Sequence, residues 1–302
     1  MQSWAKSTIK QYDSALRNWH QHTVSHNVNL FEATAADVMT FLRQRFDSGS
    51  SYSAVNTARS AVALLLSPQN PAIISENQFV KRVMKACFRI RPQIPKYSQV
   101  WDVTVVLRYL EQQYPNEQLS LQQVSKKLCM LLCLATAART QTLASINVND
   151  IVQQPNGIKI RISKMLKTTR PGFHQSEFDI PYFEEKPSLC VGTLIMHYLN
   201  MTKDLRKSSQ LFVSYQKPWN PVGSQTIARW IRTTLSEAGV DISNYGAHSV
   251  RHAASSTALK AGVSLENIRA SAGWSKDSLT FQKFYKCPIE ASFEFSKAVL
   301  SN

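Results

Sequence analysis

Seven side chains in this chain have types and spacings that suit chemistry at a phosphate: Arg139, Lys164, Lys167, His248, Arg251, Trp274 and Tyr285. His248 and Arg251 are three apart in AHSVRHAASSTALKAG, so on a helix they share one turn and one face. A guanidinium is a planar fork that matches two phosphate oxygens, and an adjacent imidazole can move a proton near neutral pH. An isolated HxxR pair is usually ordinary helix surface; here its neighbours give it weight. Arg139 follows the apolar run LCMLLCLATAA, and Trp274 stands eleven residues before Tyr285 in GWSKDSLTFQKFYK. Each also has a plainer reading. Arg139 can offset a helix C-terminal dipole, Trp274 can plug a core, and Tyr285 can pack beside Phe281 and Phe284.

The elements that would position these groups are mainly helical. STIKQYDSALRNWHQH repeats Ile9, Tyr12, Leu16 and Trp19 at helical spacing, with Ser7 as the expected N-cap. FEATAADVMTFLRQRFDSG follows, with Thr34 as N-cap, Asp37 at the third helical position and Gly49 past the end. SSYSAVNTARSAVALLLS, closed by Pro68 and Pro71, and ENQFVKRVMKACFRI complete a small helical domain over residues 1–88. The basic stretch at 89–98 reads as a linker, and a second domain spans 99–302. There WDVTVVLRYLEQQ and SLQQVSKKLCMLLCLATAA are helical, after which the period changes. IKIRI and EFDIP alternate on either side of Pro171-Gly172, predicting a small antiparallel sheet. Helices return in SLCVGTLIMHYLNMT, SQTIARWIRTTLSEAG, SVRHAASSTALKAG and SLENIRASAG. The expected class is mainly α with one small antiparallel sheet.

Composition narrows the partners. The 302 residues carry 35 Lys and Arg against 20 Asp and Glu, a net charge of +15, which suggests a polyanion. Lys81, Arg82, Lys85, Arg89, Arg91 and Lys96 fall in KRVMKACFRIRPQIPK without one acid, as expected of a helix and linker lying along a DNA backbone. No apolar run is long enough for a membrane span, and the N-terminus lacks the apolar segment of a secretory signal. The five cysteines form no CxxC pair, which argues for a reducing, intracellular setting without disulfides or zinc. Cys129 and Cys133 are expected on one buried helix face, and Cys287 as packing. His20, His22 and His26 in WHQHTVSH read as an exposed helix end rather than a metal site, and His252, directly after Arg251, as structural, pointing elsewhere on the helix.

Taken in order, Arg139, a hairpin lysine, the HxxR pair, Trp274 and Tyr285 resemble the tyrosine recombinase (phage integrase) family, over nearly the whole chain. The resemblance implies a SAM-like core-binding domain at 1–88 and a catalytic domain at 99–302, forming a C-shaped clamp on double-stranded DNA. It implies that Tyr285 is the nucleophile and forms a 3′-phosphotyrosyl link. Arg139 and Arg251 would hold the non-bridging oxygens, and His248 would assist proton transfer or hold the phosphate. The hairpin lysine would protonate the leaving 5′ oxygen; Lys167, followed by Thr168, fits the pattern better than Lys164, and both stay open. Trp274 stands where many members have histidine; its indole N–H can donate but cannot shuttle a proton, so positioning is its expected role. The chemistry calls for no metal and no cofactor. By resemblance the tail after Tyr285, with Phe293, Phe295 and Val299, docks on a neighbouring protomer in a homotetramer. The GWSKDSLTFQKFYK motif is similar to recombinases of eukaryotic mobile elements, DIRS-type retrotransposons and Cryptons, which implies the nucleus. A type IB topoisomerase-like enzyme and a domesticated, non-cleaving DNA-binding protein are the alternatives.

Overall fold

The computed structural model describes residues 6–66, 72–92, 97, 99–166, 169, 177–274 and 300. The chain divides into two compact units, residues 1–95 and 96–302.

The first unit is helical: α1 (Lys6–Ser25), α2 (Ala35–Asp47), α3 (Tyr52–Leu66), the single turn α4 (Ala72–Ser75) and α5 (Gln78–Ile90). α1 lies against α3, and α2 against α3 and α5, around Trp19, Phe41, Leu42, Val62 and Met84. Thr34 and Asp37 form the expected reciprocal cap: the Asp37 amide donates to Thr34 Oγ1 at 3.3 Å and the Thr34 amide to Asp37 Oδ2 at 2.8 Å. Gly49, at φ +96°, turns the chain out of α2. Three expectations need correction. Ser7 lies inside α1 and does not cap it. Ile9 is 48% exposed, so the buried stripe of α1 begins further along. His22 is buried, stacked between Trp19 and His26 with Gln44 2.9 Å from Nδ1, because α2 covers this end of α1. Burial therefore holds its pKa below the ordinary histidine value, against the hydrogen bond to Gln44.

The second unit is built around α7. Its elements are α6 (Val103–Glu111), α7 (Leu121–Thr136), the short α8 (Thr140–Leu143), β1 (Ile151–Gln154), β2 (Gly157–Arg161), β3 (Glu177–Pro181), α9 (Val191–Thr202), α10 (Ser224–Glu237), α11 (Ser249–Lys260) and α12 (Leu265–Ala272). α7 is apolar on nearly all sides, and it is covered by α9, α10 and α11, with Cys129 and Cys133 fully inside. The sheet is antiparallel in the order β1-β2-β3, one strand more than the two alternating segments foretold. Ile158 pairs with Ile180 and Ile160 with Phe178, and all four face the core. Gly157 is required where β2 begins: a Cβ there would meet the Ile180 carbonyl oxygen at 2.3 Å. No described helix is long and apolar enough to cross a membrane.

Candidate active site

The site begins where α7 stops. Ala137 adopts a left-handed conformation (φ 48°, ψ 26°), uncommon without glycine, and breaks the helix two residues before Arg139. Arg139 then takes the N-cap backbone position of α8, and its carbonyl accepts from the amides of Thr142 at 2.8 Å and Leu143 at 3.1 Å. It therefore starts a new helix rather than offsetting the dipole of α7. Its half-buried side chain helps line a cleft with Ala138, Thr142, Leu166 and Phe178, closed by Ser271–Gly273.

α11 contributes the HxxR pair from its first turn. His248 is the exposed residue just before the helix, and its carbonyl accepts from the Arg251 amide at 3.3 Å. Arg251 is only 1% exposed. One Nη donates to the carbonyl of Ala137 at 2.5 Å, tying α11 to the helix break that presents Arg139. A helix C-terminus leaves carbonyls without intrahelical donors, so it is a natural acceptor for a buried guanidinium.

Trp274 reaches the same place from α12. Gly273, at φ 63°, ends α12 in a left-handed cap, and the Trp274 amide bonds back to Arg269 at 2.9 Å. That reversal lays the indole over Arg251, with the guanidinium carbon 4.2 Å from the ring centroid.

Arg251 is thus bonded to the chain two residues before Arg139 and covered by Trp274, with His248 on the same turn as Arg251. Lys164 is exposed beyond β2 and does not line the cleft, whereas Leu166 does. The segment is fixed at its base by Ser163, whose hydroxyl donates to Asp150 at 2.5 Å. Lys167 and its neighbour Thr168, Tyr285 and the tail after it, with Phe293, Phe295 and Val299, lie outside the described residues, as do Cys287 and Lys96. Of the basic run, Lys81, Arg82, Lys85 and Arg89 are exposed on α5, with Lys81 paired to Glu76 at 3.0 Å. Arg91 is different. It donates to the carbonyls of Ser50 at 2.5 Å and Phe46 at 3.2 Å, and lies 4.0 Å over the Phe46 ring, so it fastens α5 to the end of α2 rather than facing outward.

Sequence reasoning missed part of the surroundings. His252, read as structural, is buried, and its ring centroid also lies 5.4 Å from that of His248. The four-residue spacing of the two histidines was the available signal. Among the described residues no cluster of His, Cys, Asp or Glu could hold a metal ion.

The second unit combines a mainly helical body, a small three-stranded antiparallel sheet and a buried arginine bonded at a helix break. Residues 110–287 match the phage integrase family, and the chain belongs to that family, as an enzyme of the tyrosine recombinase type. The fold is similar to that of XerH site-specific recombinase bound to palindromic difH substrate, at TM-score 0.65 and 16% identity over 97% of this chain and 78% of that one. It is similar to the Tn1549 transposon integrase in complex with transposon right end DNA, at TM-score 0.64 and 14% identity over 99% and 94% of the two chains. A lambda integrase tetramer bound to a Holliday junction matches at TM-score 0.58 and 14% identity over 97% and 75%. No curated protein matches the chain in sequence.

Proposed function

We propose that this recombinase cuts and rejoins double-stranded DNA through a 3′-phosphotyrosyl intermediate formed by Tyr285. The observation that carries the reading is the bond from buried Arg251 to the carbonyl of Ala137, the helix break two residues before Arg139, with Trp274 laid over Arg251. Two forks on one phosphate stabilise the charge that builds on the non-bridging oxygens as phosphorus becomes pentavalent. Tyr285 attacks in line, the 5′ oxygen leaves with a proton, and the tyrosyl ester retains the bond energy for rejoining. His248 assists at the tyrosine proton or holds the phosphate, and Lys167 supplies the proton to the 5′ oxygen. Lys167, followed by Thr168, is preferred to Lys164 on the motif.

The exposed cations Lys81, Arg82, Lys85 and Arg89, with Lys96, serve the DNA backbone, and residues 1–88 and 99–302 act as the two halves of a clamp joined by 89–98. Four copies assemble on two DNA sites through the tail after Tyr285; deleting residues 290–302 abolishes pairing of sites and spares single-site binding. The element served is mobile and eukaryotic, of DIRS or Crypton type, on the strength of Trp274 and its motif, and the enzyme acts in the nucleus.

The test is a nicked suicide duplex that traps the covalent adduct. Tyr285→Phe eliminates the adduct; an adduct that persists in this variant means another nucleophile. Absence of any adduct from the unaltered protein points to a non-cleaving DNA-binding protein, and supercoil relaxation without strand exchange to a topoisomerase. A duplex with sulfur as the 5′ leaving atom needs no proton donor, so it restores cleavage to Lys167→Ala. Restoration of Lys164→Ala instead would move the acid to Lys164.

A further inference from the structure

Tyr97, Gln99 and Trp101, where the chain enters the second unit, are fastened to the turn carrying His248 and Arg251 and to Tyr245 just before it by four contacts. Tyr97, 5% exposed, sets its ring edge-on to His252 at 5.0 Å and 75°. Its ring also stacks on Tyr245 at 5.7 Å, and the Tyr245 hydroxyl donates to the Gln99 carbonyl at 3.4 Å. Trp101 Nε1 donates to the hydroxyl of fully buried Ser249 at 3.0 Å, and that hydroxyl donates onward to the Gly246 carbonyl at 2.7 Å. Ser249 is the residue after His248, and His252 meets the His248 ring at 5.4 Å and 80°.

We propose that Tyr97–Trp101 is a positioning brace for His248, acting through the His252 ring and the Ser249 hydroxyl. An exposed imidazole at a helix start has two side-chain torsions to fix before it can meet a reacting group in one geometry. The buried His252 ring, one turn further along, supplies a wall for it. Tyr97 in turn packs edge-on against His252 and backs that wall. The hydrogen bond from Trp101 holds the backbone of the same turn through Ser249. Tyr97, Trp101 and His252 touch no reacting atom in this scheme and act only through His248 and its turn. The inference rests on the reading of His248 as a member of the site.

The experiment uses the full chain, with three readouts: single-turnover cleavage of the nicked suicide duplex, affinity for the same duplex, and the imidazole signals of isotope-labelled histidine in the free protein. Tyr97→Leu is expected to shift the His248 signals and slow cleavage about tenfold or more while leaving DNA affinity unchanged. Tyr97→Phe keeps the ring and is expected to behave as the parent. Unshifted His248 signals in Tyr97→Leu, or shifted signals with undiminished cleavage, overturn the brace. Should Tyr97→Leu lose its fold, Trp101→Phe removes one N–H and keeps a ring. Shifted signals and slower cleavage in it support the brace, and either left unchanged overturns it. His248→Ala cleaving at the parent rate sinks the site reading itself, whereas the signal shift in Tyr97→Leu still reports on the brace.

Discussion

The guanidinium of Arg251 lies 4.2 Å from the centre of the Trp274 ring, and the two residues come from different helices, α11 and the end of α12. A guanidinium held on one side by a carbonyl and on another by an indole face keeps a single orientation.

From this pairing, Trp274→Ala is expected to lower the single-turnover cleavage rate about tenfold, since a desolvated cation–π contact is worth roughly 1–2 kcal/mol. Trp274→Phe, which keeps a smaller ring face, falls in between. Cleavage in Trp274→Ala at the parent rate would mean that the indole does not position Arg251.

Arg251→Lys places a compact ammonium where a planar fork is buried. Loss of the bond to the Ala137 carbonyl is expected to cost about 1.5–3 kcal/mol of stability, read as a fall in the denaturant midpoint. Cleavage is expected to fall on the order of a hundredfold or more, because a compact ammonium lacks the planar fork that presents two parallel N–H groups to a phosphate. A variant that loses stability but cleaves normally would confine Arg251 to a structural role.

Arg89 and Arg91 are two residues apart and are expected to answer differently. Arg89 is exposed, so Arg89→Ala should leave thermal stability alone and lower the salt dependence of DNA binding by roughly one counterion. Arg91 is spent on Ser50, Phe46 and a ring, so Arg91→Ala should lower the melting temperature and leave the salt slope unchanged. Titrations over a range of salt concentrations distinguish the two, and equal slopes for both variants would sink the distinction.

Lys127 gives a pH dependence. It is fully buried, donating to the Gln113 carbonyl at 2.5 Å and to Asn116 Oδ1 at 3.0 Å, and burial lowers its pKa to about 8. The unfolded chain therefore holds this proton between pH 8 and the ordinary lysine value while the folded chain releases it. Its contribution to stability is largest above that value and is lost as pH falls through about 8. From pH 7 to 9.5 the parent should gain roughly 2 kcal/mol that Lys127→Met does not gain. Tyr109, raised to about 12 mainly by burial, acts in the opposite direction above pH 10, which is why the comparison stops short of it. Parallel stability curves for the two proteins would show that Lys127 does not titrate in this window.

The sequence disclosed the parts that depend on local pattern and concealed those that depend on what meets what. Alternation in IKIRI and EFDIP marked two strands, but β1 is mostly exposed and too short to show a period. The cap at Thr34 was legible because its partner Asp37 is three residues away. The three-residue step from His248 to Arg251 was legible for the same reason. Burial of His22 was not, since Phe41 and Gln44 come from another helix. Arg91 looked like one more cation in a basic run, and only the end of α2 separates it from Arg89. The left-handed backbone at Ala137 that ends α7 also escaped notice, because an alanine carries no signal for it.

The entry segment also sets where the protein can be divided. A catalytic fragment that starts at Asp102 keeps every helix and strand of the second unit but discards Tyr97, Gln99 and Trp101. Such a fragment would leave the first turn of α11 without its support, and its silence in an assay would say nothing about the loss of the first unit. A dissection that begins upstream of Tyr97 separates the two causes.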